Sequence, residues 1–404
     1  MENLLSSMKE SIKDLRVGTV CDDGSGENII TIDFDLQDED ENYIRADHDE
    51  SLMPYWKEFA AALNYWSEYH AKGECLIVAI FYIELPKSVL NKLRPAFEQS
   101  RIKHVSLGNN RHPGDMADFI KKVLRANHFI TEVGFGAIKF AREDVKTICD
   151  AIKLRNAGDH FIEGLELSNC FEDGIDTHTL KMILTSITSG SAKTVVLNLS
   201  YNGMSSREAA VIAEFLNSNP SLAFLDLDDN QFDDADAAVL ANSLLRNTFL
   251  REIFVENNGM KESGRLAFLR AIFDVSSLSS CAASNHTCRV YGFERDISVL
   301  NMNKKSSLNN KWRKIFAILA LSGEDSFINT ALLRDVPAQL IPMILDKCTV
   351  KVTKPNRELT DIYLELTNTT RSQKHDVWDS LGEMKPLSCM HNLMRSLVVP
   401  LIFV

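Results

Sequence analysis

Six aspartates fall within eleven residues of LDLDDNQFDDADAAVLANSLLRN (residues 225 to 247), at 226, 228, 229, 233, 234 and 236. Carboxylates at that density can ligate calcium, work as general acids and bases, or cap helix N-termini. A calcium loop starting at Asp228 would need Gly at 233 and Glu at 239, where the chain has Asp233 and Val239. The ten histidines are dispersed without metal-ligand spacing, and NHTC (285 to 288) is the nearest approach to one. The chain carries no phosphate-binding glycine loop and no GxSxG elbow. No nucleophile, base and orienting group come together, so the sequence predicts neither catalysis nor a metal or cofactor.

The aspartates make sense once the elements around them are identified. IKHVSLGNN (102 to 110), LAFLDLDDN (222 to 230) and LREIFVENN (250 to 258) share apolar residues at places one, four and six and Asn at place nine. TVVLNLSYN (194 to 202) fits with Thr194 first, IEGLELSNC (162 to 170) with Cys170 last, and ITEVGFGAI (130 to 138) and LSSCAASNH (278 to 286) more loosely. The ninth places are spaced by 28, 32, 32, 28, 28 and 28 residues. A second half aligns as well. Ile120, Ile212, Leu240 and Phe268 fill one slot, Leu124, Leu216, Leu244 and Ile272 fill the slot four residues on, and Asn127, Asn219 and Asn247 follow. A period of two giving way to one near 3.6 predicts a short strand and then a helix.

This pattern resembles the leucine-rich repeat LxxLxLxxN/C in its longer, ribonuclease-inhibitor-like form, over about residues 75 to 290. CLIVAIFYI (75 to 83) reads as a degenerate first copy, for about eight repeats in all. The resemblance implies an α/β solenoid, a horseshoe with a parallel sheet on its concave face and helices on its convex face. It assigns Asn110, Cys170, Asn202, Asn230 and Asn258 to the slot where the chain turns away from each strand. SNHTC, LNMN (300 to 303) and a helical tail also resemble the ribonuclease-inhibitor-type repeat proteins of diatoms and other protists.

Within this frame Asp233, Asp234 and Asp236 precede a helix and are expected to cap it. Asp226 and Asp228 alternate with buried leucines and project from the sheet. The outward strand slots of seven aligned copies, twenty-one positions, hold Glu132, Glu166, Asp226, Asp228, Glu252 and Glu256, one histidine (His104), and no lysine or arginine. Phe224 and Phe254 share those rows and Tyr201 lies beside them. Aromatic anchors rimmed by carboxylates predict a binding face for a protein with a basic surface; the plainer alternative is a solvated acidic face.

The flanks complete the organisation. Residues 22 to 50 hold twelve acids and one arginine, most of the net charge of −12, so residues 1 to 50 read as an acidic, partly disordered arm in which IITIDFDL (29 to 36) allows a strand. Residues 51 to 74 read as an N-terminal capping helix, 75 to 289 as the repeats and 290 to 404 as a helical C-terminal cap. That cap includes NNKWRKIFAILALS (309 to 322) and LLRDVPAQLIPMIL (332 to 345), which resembles the opening of an F-box and implies a ubiquitin-ligase substrate adaptor. Activators of the Ran GTPase are built from similar repeats, which implies GTPase activation as another alternative. The charge disfavours nucleic acid, the apolar runs are too short to span a bilayer, and eight scattered cysteines suit a reducing compartment. These features predict a cytoplasmic protein, with the nucleus as the alternative, whose oligomeric state is open.

Overall fold

The computed structural model describes residues 2–22, 27–33, 45–171, 174–190, 194–303 and 306–321. Nine parallel strands among these residues lie side by side in chain order. They are β2 Asn28–Asp33, β3 Leu76–Phe81, β4 Ile102–Gly108, β5 Glu132–Gly136, β6 Gly164–Ser168, β7 Val195–Asn198, β8 Leu222–Asp226, β9 Glu252–Phe254 and β10 Arg289–Tyr291. A short β1, Cys21–Asp22, pairs antiparallel with β2 at one edge. Parallel strands cannot be joined by a hairpin, so each return runs through a helix. These helices are α2 Met53–Tyr69, α3 Lys87–Gln99, α4 Pro113–Ala126, α5 Arg142–Asn156, α6 Thr177–Ile187, α7 Ser206–Asn217, α8 Asp234–Leu244 and α9 Glu262–Ile272. Each packs on the next, as each strand does on its neighbour. The architecture is an open α/β solenoid of the leucine-rich-repeat kind, with strands lining one face and helices the other.

The core is the wedge between the two layers. Ile102, Val105 and Leu107, or Leu222, Leu225 and Leu227, occupy places one, four and six, and all are almost fully buried. They meet the helix slots Ile120, Leu124, Leu240, Leu244, Phe268 and Ile272, which are equally buried. At β7 the register shifts by one residue, so that Val195, rather than the exposed Thr194, pairs with Leu222 and fills the first place.

Where the chain leaves the sheet, place eight is left-handed in repeat after repeat: Asn109, Ala137, Asn169, Tyr201, Asp229 and Asn257 have φ between 52° and 58°. Asn and Asp tolerate this region best, whereas Ala137 and Tyr201 are held there by the turn. Place nine then links neighbouring repeats. The Asn202 side-chain amide donates to Leu167 O at 2.7 Å and Leu199 O at 3.0 Å, and its Oδ1 accepts from Cys170 N at 2.8 Å. Asn230 accepts in turn from Asn202 N at 3.1 Å, and Asn258 from Phe232 N at 3.1 Å. Asn110 accepts from His112 N within its own turn and donates to Ile83 O of the preceding repeat at 3.5 Å, and the next repeat has the apolar Ile138 in this slot.

A second ladder closes the helix ends. Asn127, Asn247 and Asn285 each donate to carbonyls of the preceding repeat and accept from the backbone that follows. The buried Arg155 guanidinium, with five donors, satisfies the carbonyls of Leu124, Asn127, Ile130 and His160. Asn219, at the same helix-end position, bonds to Thr248 instead.

Two flanking expectations change. Among its described residues, the acidic arm expected over residues 1 to 50 is part of the solenoid. Residues Glu2–Val17 form α1, which buries Leu4, Met8, Ile12 and Leu15 against α2 and β2. Strand β2 buries Ile30 and Ile32, and Ala46 bridges to Ile83. The apolar stripe of α1 outweighs charge repulsion nearby, and some of those acids find cations: Glu27 pairs with Lys103 and Asp47 with Arg111. The helix α2 is therefore an interior turn of the solenoid, between β2 and β3, and α1 caps the N-terminal end.

At the other end LSSCAASNH is no strand. Its first six residues form α10, Leu278–Ala283, and the ninth strand is β10. Beyond it lies α11, Ser307–Leu321, whose buried Lys314 ammonium donates to Ile272 O, to Asn285 O at 3.0 Å and to Asn301 Oδ1 at 2.7 Å. Desolvation among these carbonyls lowers the Lys314 pKa to about 7. The expected helix NNKWRKIFAILALS (309 to 322) falls on α11, whereas the F-box-like stretch 332 to 345 and the rest of the expected C-terminal cap from residue 322 on lie outside the described residues.

Candidate functional site

The register puts the outward slots of adjacent strands opposite one another, so that side chains from sequence-distant repeats form rows across the sheet. One row runs His104, Glu132, Gly164, Val196, Phe224, Glu252, Arg289; the next runs Ser106, Gly134, Glu166, Asn198, Asp226, Phe254, Tyr291. Alternation places these residues on the face opposite the buried leucines.

At the β8–β10 end, three rings form a ladder. Phe224 and Phe254 have centroids 4.9 Å apart, and Phe254 stacks on Tyr291 at 4.6 Å with 14° between planes. All three are half-buried, and ring contacts of this kind, one tilted and one stacked, fix their orientation. Tyr291 was not among the residues singled out from sequence, and neither was Arg289. The Arg289 guanidinium pairs with Glu252 and lies 5.1 Å from the Tyr291 ring centre. The expectation of a face without lysine or arginine therefore fails at the last strand, and Glu252 is neutralised from within. A signal for β10 was present: Cys288 stands three residues after Asn285, as Leu250 does after Asn247, and RVY alternates behind it. Tyr201 lies outside the ladder, 55% exposed on its left-handed turn and hydrogen-bonded to Asp229.

The remaining carboxylates sit beside the ladder and across the middle of the sheet. Asp226 accepts from Asp228 N at 3.0 Å, and Asp228 accepts from Glu256 N. Burial, with the charges of Asp226, Glu256 and Asp229, pushes the Asp228 carboxyl up to about 6. Burial also raises Asp226 and Glu166, whose charges repel each other. Glu132 is raised by burial, partly offset by Lys103, and Glu256 is exposed. Half-buried carboxylates with raised pKa values are an unfavourable arrangement for the free protein that an arriving cation would relieve.

The other half of the aspartate cluster behaves as capping residues. Asp233 accepts from Ala235 N at 2.8 Å and Asp236 N at 3.0 Å, while Asp236 accepts from Asp233 N at 3.0 Å. Asp234 reaches the next repeat and accepts from Lys261 N and Gly264 N at the start of α9.

Among the described residues no helix is long and apolar enough to cross a membrane, and the apolar run LIVAIFYI contributes strand β3. No protein-family model and no curated protein matches the chain.

Proposed function

We propose that the protein is a non-catalytic binding module that holds a basic segment of a partner protein against the sheet face. The observation carrying this reading is the Phe224–Phe254–Tyr291 ladder bordered by Asp226, Asp228 and Glu256, with Glu166 two strands further. Among the described outward strand positions Arg289 is the single lysine or arginine, and it is already paired with Glu252. Aromatic rings supply contact area at low entropic cost, and half-desolvated carboxylates give sign selectivity and steering.

The test uses the full chain and a labelled peptide of mixed lysine and arginine, followed by fluorescence anisotropy at low and moderate salt. The intact chain is expected to bind and to weaken with salt. Phe254→Ala and Asp226→Asn/Asp228→Asn are each expected to weaken binding about tenfold, some 1.4 kcal/mol. Equal affinity for an acidic peptide of the same length, or no effect of either variant, would remove the proposal.

A further inference from the structure

We propose that the gap left by Gly134 in the middle of the sheet is a seat for a primary ammonium group. The ammonium would come from a lysine of the partner segment or from the end of a free polyamine. The inference rests on reading this face as a cation-binding surface, and it names where one cation goes.

Gly134 occupies an outward slot between Ser106 on β4 and Glu166 on β6. A Cβ added there would stand 3.0 Å from Ser106 Oγ, 3.1 Å from Glu166 Oε2 and 3.3 Å from His104 Nε2. Three polar atoms from the two flanking strands thus lean over one missing side chain. Towards Gly136 the recess is open, since a Cβ at that residue would meet nothing within 4 Å. On the other side the Glu132 side chain lies across Gly164.

The hydrogen-bonding inventory selects the ligand. His104 Nδ1 lies 3.5 Å from Glu132 Oε2, so assigning the ring proton to Nδ1 leaves Nε2 as an acceptor. That Nε2 is buried and has no hydrogen-bond partner. Around the gap there are then an imidazole nitrogen, a hydroxyl oxygen and a carboxylate, with a second carboxylate at the rim. An ammonium brings three donors and no acceptor, whereas the planar guanidinium fork asks for a wider, edge-on carboxylate. The cation at the neighbouring strand position, Lys103, is committed to Glu27. A metal ion is a poorer fit, because among the described residues no group of three His, Cys, Asp or Glu side chains could hold one. Burial raises Glu132 and Glu166 and lowers His104, so all three are held where an ammonium would improve their surroundings.

The experiment is calorimetric titration of the full chain, of Gly134→Ala and of Glu166→Gln with nonalysine, nonaarginine and spermidine. The alanine methyl stands at the floor of the seat and crowds Ser106 Oγ, Glu166 Oε2 and His104 Nε2, which must move back by a few tenths of an ångström. Glu166→Gln keeps the shape and removes the charge, and so decides the matter if Gly134→Ala does not fold. Nonalysine is expected to bind each variant about tenfold more weakly than the intact chain, while nonaarginine changes less than about twofold. Spermidine binding that Gly134→Ala removes would identify free polyamine as a source of the ammonium. Its failure to bind, with the nonalysine effect intact, would identify the partner's lysine. Unchanged nonalysine affinity in both variants overturns the seat and leaves the acidic face standing. If neither peptide binds the intact chain, the reading of the face falls and the seat falls with it.

Discussion

Asp228→Asn should make the protein more stable at neutral pH. The Asp228 carboxyl is half-buried beside Asp226, Asp229 and Glu256, and these surroundings lift its pKa from 3.8 to about 6. A carboxyl raised on folding takes up protons more readily in the native state than in the unfolded chain. Its ionisation therefore costs stability above pH 6, and the cost fades to nothing as pH falls through the native pKa to below 3.8. At 1.36 kcal/mol per pH unit, a rise of this size corresponds to at most about 3 kcal/mol. The carboxylate keeps roughly half its contact with water, so solvent screening reduces the expected gain to about 1 kcal/mol. Asparagine retains the Oδ1 that accepts from Glu256 N, so the turn should survive.

The assay is urea unfolding of both chains at pH 7 and at pH 4, read as a change of midpoint at constant slope. A gain near 1 kcal/mol at pH 7 that disappears by about pH 4 supports the argument. A loss of stability at pH 7, or an equal gain at both pH values, refutes it, because the carboxylate would then not be the strained group. The same substitution should weaken binding of a basic peptide, trading function for stability at one atom.

Asn202→Ala removes the acceptor for Cys170 N and the donor to Leu167 O and Leu199 O, all buried. Leu199 O keeps the Asn230 amide at 3.2 Å, so at about 1–3 kcal/mol for each of the other groups left unpaired, thermal or urea unfolding should show a loss of at least about 2 kcal/mol; a loss below about 1 kcal/mol would mean the ladder is dispensable. Met8→Asp buries a carboxylate under α1, where Met8 is fully enclosed. Because repeat arrays are stabilised between nearest neighbours, hydrogen exchange should accelerate across α1 and α2 while α7 to α9 keep their protection. Unaltered exchange in α1 would refute its packing as the N-terminal cap.

Much of the architecture could be read from sequence alone because the determinants are local and repeated. A period of two, then a period near 3.6, with Asn at a constant offset, dictates strand, turn and helix whatever surrounds them. The 28-residue recurrence adds that neighbouring units stack. The same alternation places Glu166, Asp226, Asp228, Phe224 and Phe254 on one face, and the aspartates ahead of the helical period place Asp233 and Asp236 at a helix start. What the sequence could not decide is how residues far apart in the chain meet. Charge counting over 22 to 50 hid the stripe Leu4, Met8, Ile12 and Leu15, since a helix too short to stand alone is held by the surface it covers. Loose matching placed the last strand nine residues too early, with Ser280 in the slot beside Glu252 that pairing with β9 gives to Arg289, although Cys288 three residues after Asn285 carried the better register. Arg289 against Glu252, Tyr291 on Phe254, and His104, Ser106 and Glu166 around Gly134 are contacts across strands. Their partners are set by sheet register, which is a property of the packed solenoid and not of any one repeat.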